Sequence, residues 1–348
     1  MSAADIETLL RQLVQADHAS DLIITVGQPP QLRICNELTP LNDVCLSPDD
    51  TERLCLSLLD KEQTQRFLRD KELDISYAIE GSGRFRINMY RQQRCLAMAA
   101  RVIRDRIPDF EELRLPDVIR KFATFQRGLV LITGPIGSGK TTTVAAMVDY
   151  INRTRKCHIV CIEDPIEYAH SHVLATVDQR EVGIDTKSFA EALRRVLRQS
   201  MDVVVIGEIR DRISAQAALT LAETGHLTLA TLHTNGTVAS VNRLVDMFPP
   251  EQICQVRTQL AASLAGVIWQ QLLPLANDNG LVVACEIMKA TTGIRSMIRH
   301  GKMHEIYSAI ESGKQYEMWT MKQAMEQLVQ DGLIDVEWLD KGSGIHAY

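Results

Sequence analysis

The chain has 348 residues, 45% of them hydrophobic and 24% charged, so at roughly 150 residues per domain it should form about two soluble globular domains. Thirty-eight Lys and Arg against 44 Asp and Glu leave a net charge of -6, which offers no overall basic field to nucleic acid. The eight cysteines, at 35, 45, 55, 95, 157, 161, 254 and 285, contain no C-x-x-C pair, and no run of about 18 apolar residues occurs, so a zinc framework, a disulfide scaffold and a membrane span are not expected.

The first residues are acidic and amphipathic rather than basic and then apolar, so no export signal is expected. Ile6, Leu9, Leu10, Leu13 and Val14 stand at helical spacing and predict a short opening helix. Residues 21–26 and 31–35 read as strands around Gly27-Gln28-Pro29-Pro30, where two prolines forbid helix. Ser47-Pro48-Asp49-Asp50-Thr51-Glu52 opens a capped helix through Leu54, Leu58 and Leu59, and residues 84–90 and 96–103 alternate as strands. Residues 1–105 thus form a small α+β domain. A charged stretch broken by Pro108 and Pro116 marks a linker over 106–118. Residues 119–348 form the second domain, with a helical C-terminal region and a flexible tail at 341–348. Within it, residues 129–133, 159–162, 203–206 and 227–232 are short apolar runs separated by helical patterns. Such alternation predicts an α/β fold whose mostly parallel sheet is covered on both faces.

The first of these runs leads into Gly134-Pro135-Ile136-Gly137-Ser138-Gly139-Lys140-Thr141, which satisfies G-x-x-x-x-G-K-[ST] and precedes an apolar helix. Glycines let successive backbone N–H groups turn onto a polyphosphate. Lys140 supplies a point charge near the β and γ phosphates, and Thr141 a hydroxyl for Mg2+. Binding of ATP is therefore expected from residues 134–141 together with Thr142. Hydrolysis needs acids, and two apolar runs end in them. Residues 203–206 lead through Gly207 to Glu208, which suits a metal-holding carboxylate acting through water. Residues 159–162 lead to Glu163-Asp164-Pro165, where Glu163 is the preferred general base. His226 and His233 flank the run at 227–232 and fall at its opposite ends, which leaves open whether each lies near the γ-phosphate or at a subunit edge.

With these motifs on the page, the chain resembles the type IV pilus retraction ATPase (PilT) family of the type II/IV secretion ATPase superfamily. The resemblance rests on GPIGSGKTTT at 134–143, IEDPIEY at 162–168, VVVIGEIRD at 203–211 and AETGHLTLATLHTN at 222–235. SDLIITVGQPPQLR near the start and GIRSMIRHGK near the end extend it over nearly the whole chain. It implies an N-terminal PAS-like domain followed by a RecA-like P-loop ATPase, assembled as a homohexamer with ATP held between the domains. It also implies Lys140 and Thr141 as the Walker A pair, Glu163 as catalytic acid, Glu208 as the Walker B acid, and His226 and His233 as a His box. Arg94, Arg101, Arg194 and Arg198 match stretches that carry γ-phosphate arginines in the family. By their surroundings alone they are arginines of a β-rich region and an amphipathic helix.

The resemblance implies a cytoplasmic motor, peripheral at the inner-membrane base of the pilus machine, that works on a platform protein and alongside a paralogous pilus ATPase. The missing C-x-x-C pairs favour the retraction branch over the assembly branch. The alternatives are a superfamily ATPase serving type II/IV secretion, and an accessory nucleotide-binding regulator of a partner ring. Ile23, Gln199, Met201 and His300 stand where the family pattern has His, Glu, Pro and a terminal acid, departures that a divergent paralogue would carry.

Overall fold

The computed structural model describes residues 5–16, 19–34, 37–103, 106–276 and 280–339. The tail at 341–348, Cys35 and the start of the charged stretch at 104–105 lie outside the described residues. The chain divides into two compact units, one of Met1–Arg106 with Glu167–Ala169, the other of Ile107–Ile166 and His170–Tyr348.

The first unit runs α1 (Ile6–Gln15), β1 (Ala19–Ile24), β2 (Gln31–Ile34), β3 (Glu37–Pro40), α2 (Pro48–Leu56), α3 (Lys61–Asp70), β4 (Glu72–Ile79), β5 (Gly83–Gln92) and β6 (Cys95–Ile103). Its six strands form an antiparallel sheet in the order β3-β2-β1-β6-β5-β4. Period-two alternation builds its core: in β5, Phe85, Ile87 and Met89 are fully buried while Arg84, Arg86 and Asn88 are not. The buried stripe Ile6, Leu9, Leu10 and Leu13 of α1 joins the same core, and Asp5 caps that helix by accepting from the Thr8 N–H at 2.7 Å. β1 stops at Ile24, two residues short of the alternation read from the sequence. α3 was not legible because its ten residues bury only Phe67. The β5–β6 hairpin turns on Gln93 and Arg94, both left-handed at φ 47° and 70°.

The second unit continues with α4 (Asp117–Ala123), β7 (Gly128–Thr133), α5 (Lys140–Thr154), β8 (His158–Glu163), β9 (Thr176–Glu181), α6 (Phe189–Val196), β10 (Val203–Ile206), α7 (Arg212–Glu223), β11 (Leu227–Leu232) and α8 (Thr237–Asp246). It closes with α9 (Ile253–Ser263), β12 (Leu264–Pro274), β13 (Leu281–Lys289), α10 (Thr292–His300), α11 (Met303–Glu311) and α12 (Met321–Gln330). The sheet order is β13-β12-β7-β11-β10-β8-β9, parallel throughout except for β12–β13. β7, β10 and β11 are buried along their whole length, as strands covered on both faces must be. One face packs α6 to α10, the other α4 and α5. Phe110 and Leu115, inside the stretch expected to be a linker, are buried in that second core, and Phe110 meets Tyr150 edge-on at 5.7 Å. α4 begins at Asp117, so the helix takes the last two residues of that stretch.

Candidate nucleotide site

β7 ends at Thr133 and the chain turns at once into Gly134, whose φ is 149°. A Cβ there would lie 2.3 Å from the Gln270 carbonyl oxygen and 2.5 Å from Ser138 Oγ, so only glycine lets the loop leave the strand. Pro135, Ile136 and Gly137 are exposed at the loop's crest and Ser138 is buried behind them. Gly139, left-handed at φ 83°, begins α5 without any side-chain cap. Lys140, Thr141 and Thr142 form the N-terminal end of this 15-residue helix, an end whose backbone N–H groups suit an anion such as phosphate. Lys140 is 7% exposed; its Nζ donates to the Gly134 and Pro135 carbonyls at 2.9 and 2.8 Å and stands 3.2 Å from His233 Nδ1. Behind the loop, Gln270 of β12 donates from Nε2 to the Ser138 carbonyl at 2.7 Å.

Register brings the acids to the same edge. Leu232 pairs with Thr133, Ala230 with Ile206, and Ile206 with Ile162. The residues that follow therefore emerge side by side: Gly134 after β7, His233 after β11, Gly207-Glu208 after β10, with Glu163 ending β8. A Cβ on Gly207 would meet the Ile162 carbonyl at 3.0 Å and Glu163 Cα at 3.2 Å, so this glycine lets the ends of β10 and β8 close up.

A continuous chain of polar contacts runs along the edge. Lys140 Nζ reaches His233 Nδ1, His233 Nε2 lies 3.4 Å from Glu208 Oε1, Arg210 Nε donates to Glu208 Oε2 at 2.7 Å, and Arg210 reaches Asp164 at 3.5 Å. A lysine ammonium only donates, so His233 accepts on Nδ1, carries its proton on Nε2 and presents it to Glu208. The hydrogen bond from Arg210 to Glu208, with the charges of Glu208 and Asp164 beside it, pushes the guanidinium pKa up against the opposing effect of burial. Glu163 Oε1 accepts from Gln179 Nε2 of β9 at 2.9 Å. The Gln179 amide has one orientation, because its Oε1 accepts the His170 backbone N–H at 2.8 Å.

The other candidates lie elsewhere. His226 precedes β11, at the strand end opposite the phosphate loop, with Nδ1 at 3.1 Å from both the Leu221 carbonyl and Thr224 Oγ1. Arg194, in the last turn of α6, and Arg198 just beyond it are exposed. Arg194 lines a groove of about 440 Å³ with Leu193, Leu197, Arg212 and Ile213. Both remaining arginines belong to the first unit. Arg94 is exposed in the hairpin turn, and Arg101 Nε donates to Asp21 Oδ1 at 2.8 Å, its cross-strand neighbour. Gln179 and Gln270 escaped the sequence reading, since a lone Gln in a strand carries no motif; their spatial partners identify them.

A glycine-rich loop on a helix N-terminus, its lysine bonded to the strand next door and carboxylates ending two further parallel strands, defines a RecA-like P-loop ATPase. The sequence profile of the family described as Type II/IV secretion system protein matches residues 94–341, and the chain belongs to that family. The type IV pilus retraction ATPase PilT of Pseudomonas aeruginosa is 41% identical over 319 residues, 92% of each chain. The type IV pilus ATPase PilU of the same organism is 38% identical over 333 residues, 96% of this chain and 87% of its own. A crystal structure of the pilus retraction motor PilT with bound ADP matches with a TM-score of 0.91 at 41% identity, over 97% of this chain and 96% of that one. The protein is thus a nucleotide-binding ATPase homologous to PilT, and among the described residues no helix is long and apolar enough to cross a membrane.

Proposed function

We propose that the chain is a cytoplasmic hexameric motor, peripheral at the inner-membrane base of a pilus machine, whose ATP hydrolysis powers type IV pilus retraction and twitching motility. The observation that carries the reading is the run of contacts from Lys140 through His233 and Glu208 to Arg210 and Asp164, on a chain alike in length and fold to a retraction ATPase. Residues 134–142 cradle the phosphates. Parallel strands lie about 4.8 Å apart, so Glu163, three strands from β7, sits about 14 Å along the edge. That spacing suits a base acting on water beyond the γ-phosphate rather than a ligand of the loop. Gln179 holds its carboxylate in place. His233 bridges Lys140 and Glu208 and links the phosphate end of the site to the acid end.

Thr141 and Glu208 supply hydroxyl and carboxylate oxygens, the hard donors that Mg2+ takes while keeping several waters. When bound there, Mg2+ supplies charge neutralisation on the β and γ phosphates.

His226 lies at the strand end opposite the phosphate loop, and Arg194 and Arg198 are exposed on and just beyond α6, so we assign them to a neighbouring copy's nucleotide in the ring. Arg94 and Arg101 are the first unit's candidates for the γ-phosphate. Loss of γ-phosphate contacts frees the first unit to turn about the segment that joins it to the second, and that turn drives a pilus platform protein. Nearly equal identity to PilT and PilU, 41% and 38%, also favours work beside a paralogous pilus ATPase.

Two experiments test the reading. Lys140→Ala should abolish phosphate release from the purified protein, and undiminished turnover would remove the site assignment. Deletion should leave hyperpiliated cells that do not retract. Bald cells would point to pilus assembly, failed protein export to secretion, and negligible turnover by the isolated protein to an accessory regulator.

A further inference from the structure

Glu286, on β13, is 1% exposed and lies far from the motifs in sequence. Three donors converge on it. Oε1 accepts from the Thr237 backbone N–H at 2.9 Å and from Thr237 Oγ1 at 2.7 Å, and Oε2 accepts from the Met321 N–H at 3.2 Å. Thr237 and Met321 are the first residues of α8 and α12. α8 has no cap of its own, because its N-cap is Gly236, so Glu286 supplies from a neighbouring strand the acceptor that the helix start lacks.

A second set of bonds shares this helix start. Ser240 Oγ bonds Thr234 Oγ1 at 2.7 Å, the Gly236 carbonyl at 2.7 Å and Thr133 Oγ1 at 3.1 Å. Thr133 is the last residue before the phosphate loop, and Thr234 follows His233 directly. Thr133, Thr237 and Ser240 are fully buried. Buried polar atoms are costly unless partnered: the Thr237 hydroxyl relies on Glu286, while Ser240 links the Gly236 carbonyl at the helix start to Thr133, which also donates to the Ile268 carbonyl. Only residues 233–236 separate β11, fixed in the sheet, from α8, fixed by Glu286. A shift of the helix start therefore passes directly to His233, whose contacts to Lys140 and Glu208 are 3.2 and 3.4 Å.

We propose that Glu286 is a positioning residue for ATP hydrolysis: by tying the starts of α8 and α12 together it holds His233 between Lys140 and Glu208. The inference rests on His233 working at the nucleotide site. The phosphate loop itself is held by β7 and Gln270, so Glu286 governs the chemical step more than nucleotide affinity.

The test is a double-mutant cycle on the full chain, comparing Glu286→Gln, His233→Ala and the pair by kcat, KM for ATP and melting temperature. Glutamine keeps the shape but turns an amide donor onto the N–H of either Thr237 or Met321. A fall of about tenfold in kcat with KM changed less than twofold, and no further fall when Glu286→Gln is added to His233→Ala, is the expected result. Parental kcat in Glu286→Gln, or a loss that multiplies with that of His233→Ala, overturns the inference while leaving the site assignment intact. Parental kcat in His233→Ala overturns both. Should Glu286→Gln fail to fold, Ser240→Ala loosens the same helix start with the carboxylate in place; it should show the same non-additive loss, and parental kcat there likewise overturns the inference.

Discussion

Gly134 and Gly137 stand in the same loop, yet the structure separates them sharply. At Gly134, φ is 149° and an added Cβ would stop 2.3 Å from a backbone oxygen of β12, about 1 Å inside ordinary contact. At Gly137, φ is 77° and nothing lies within 4 Å of the added carbon. Gly137→Ala therefore carries only the strain of a left-handed alanine, about 1–2 kcal/mol. Gly134→Ala adds overpacking of about 1–3 kcal/mol, for a total of roughly 2–5 kcal/mol. At roughly 2–4 °C per kcal/mol for a unit of this size, Gly134→Ala should melt about 5–15 °C lower. Neither the β12 carbonyl nor buried Ser138 can yield without moving the loop, and a displacement of about 1 Å in a binding constellation costs on the order of 100-fold. Titration with a fluorescent ADP analogue should thus show affinity falling on the order of 100-fold for Gly134→Ala and less than about tenfold for Gly137→Ala. If Gly134→Ala bound within about threefold of the parent, or Gly137→Ala proved the weaker binder, the steric account of the loop would be refuted.

Gln179→Leu removes the donor that orients Glu163 and should lower kcat about tenfold at constant KM, with no further loss in a Glu163→Gln background; steady-state phosphate release reads both. Arg101→Ala strips a hydrogen bond from Asp21, which is 7% exposed, so it should lower the melting temperature as well as turnover, whereas Arg94→Ala, at an exposed turn, should lower turnover alone. Burial pushes the His170 imidazole down to about 4 from 6.5, with Asp149 opposing weakly. Between those values the unfolded chain binds a proton that the folded chain does not, so stability rises with pH through the window, is complete above about 6.5 and is lost as pH falls through about 4. His170→Asn should remove up to about 3 kcal/mol of that dependence, read by urea melts at pH 4.5 and pH 7.

The parts of the site legible in the sequence are those whose chemistry lies within one short segment. The phosphate loop is contiguous, Glu163 and His233 each follow an apolar run directly and Glu208 follows one after a single glycine, so knowing that the strands are parallel is enough to place all three at one edge. β9 escaped notice because it lies at the edge of the sheet, where only Val177 and Glu181 are buried and no apolar run forms. Gln179, Gln270 and Glu286 act through partners between 9 and 132 residues away, and nothing adjacent to them signals a role.

The segment 293–300 shows how neighbouring basic residues on one helix divide between packing and surface. Arg295 is turned inward: its Nε donates to the Ala290 carbonyl at 2.8 Å and its Nη1 to the Ala261 and Ala262 carbonyls at 2.7 and 2.9 Å, so it caps the end of α9. Burial lowers its pKa, a cost that those three carbonyls offset. Arg299 and His300 are exposed in the last turn of α10, and His300 bonds the Ser296 carbonyl of its own helix at 2.8 Å. Three basic residues that look equivalent in sequence thus divide: Arg295 holds α9 to α10, while Arg299 and His300 are left on the surface. A change of residue at 300 therefore alters the exposed face of α10 without disturbing the bonds by which Arg295 fixes it to the end of α9.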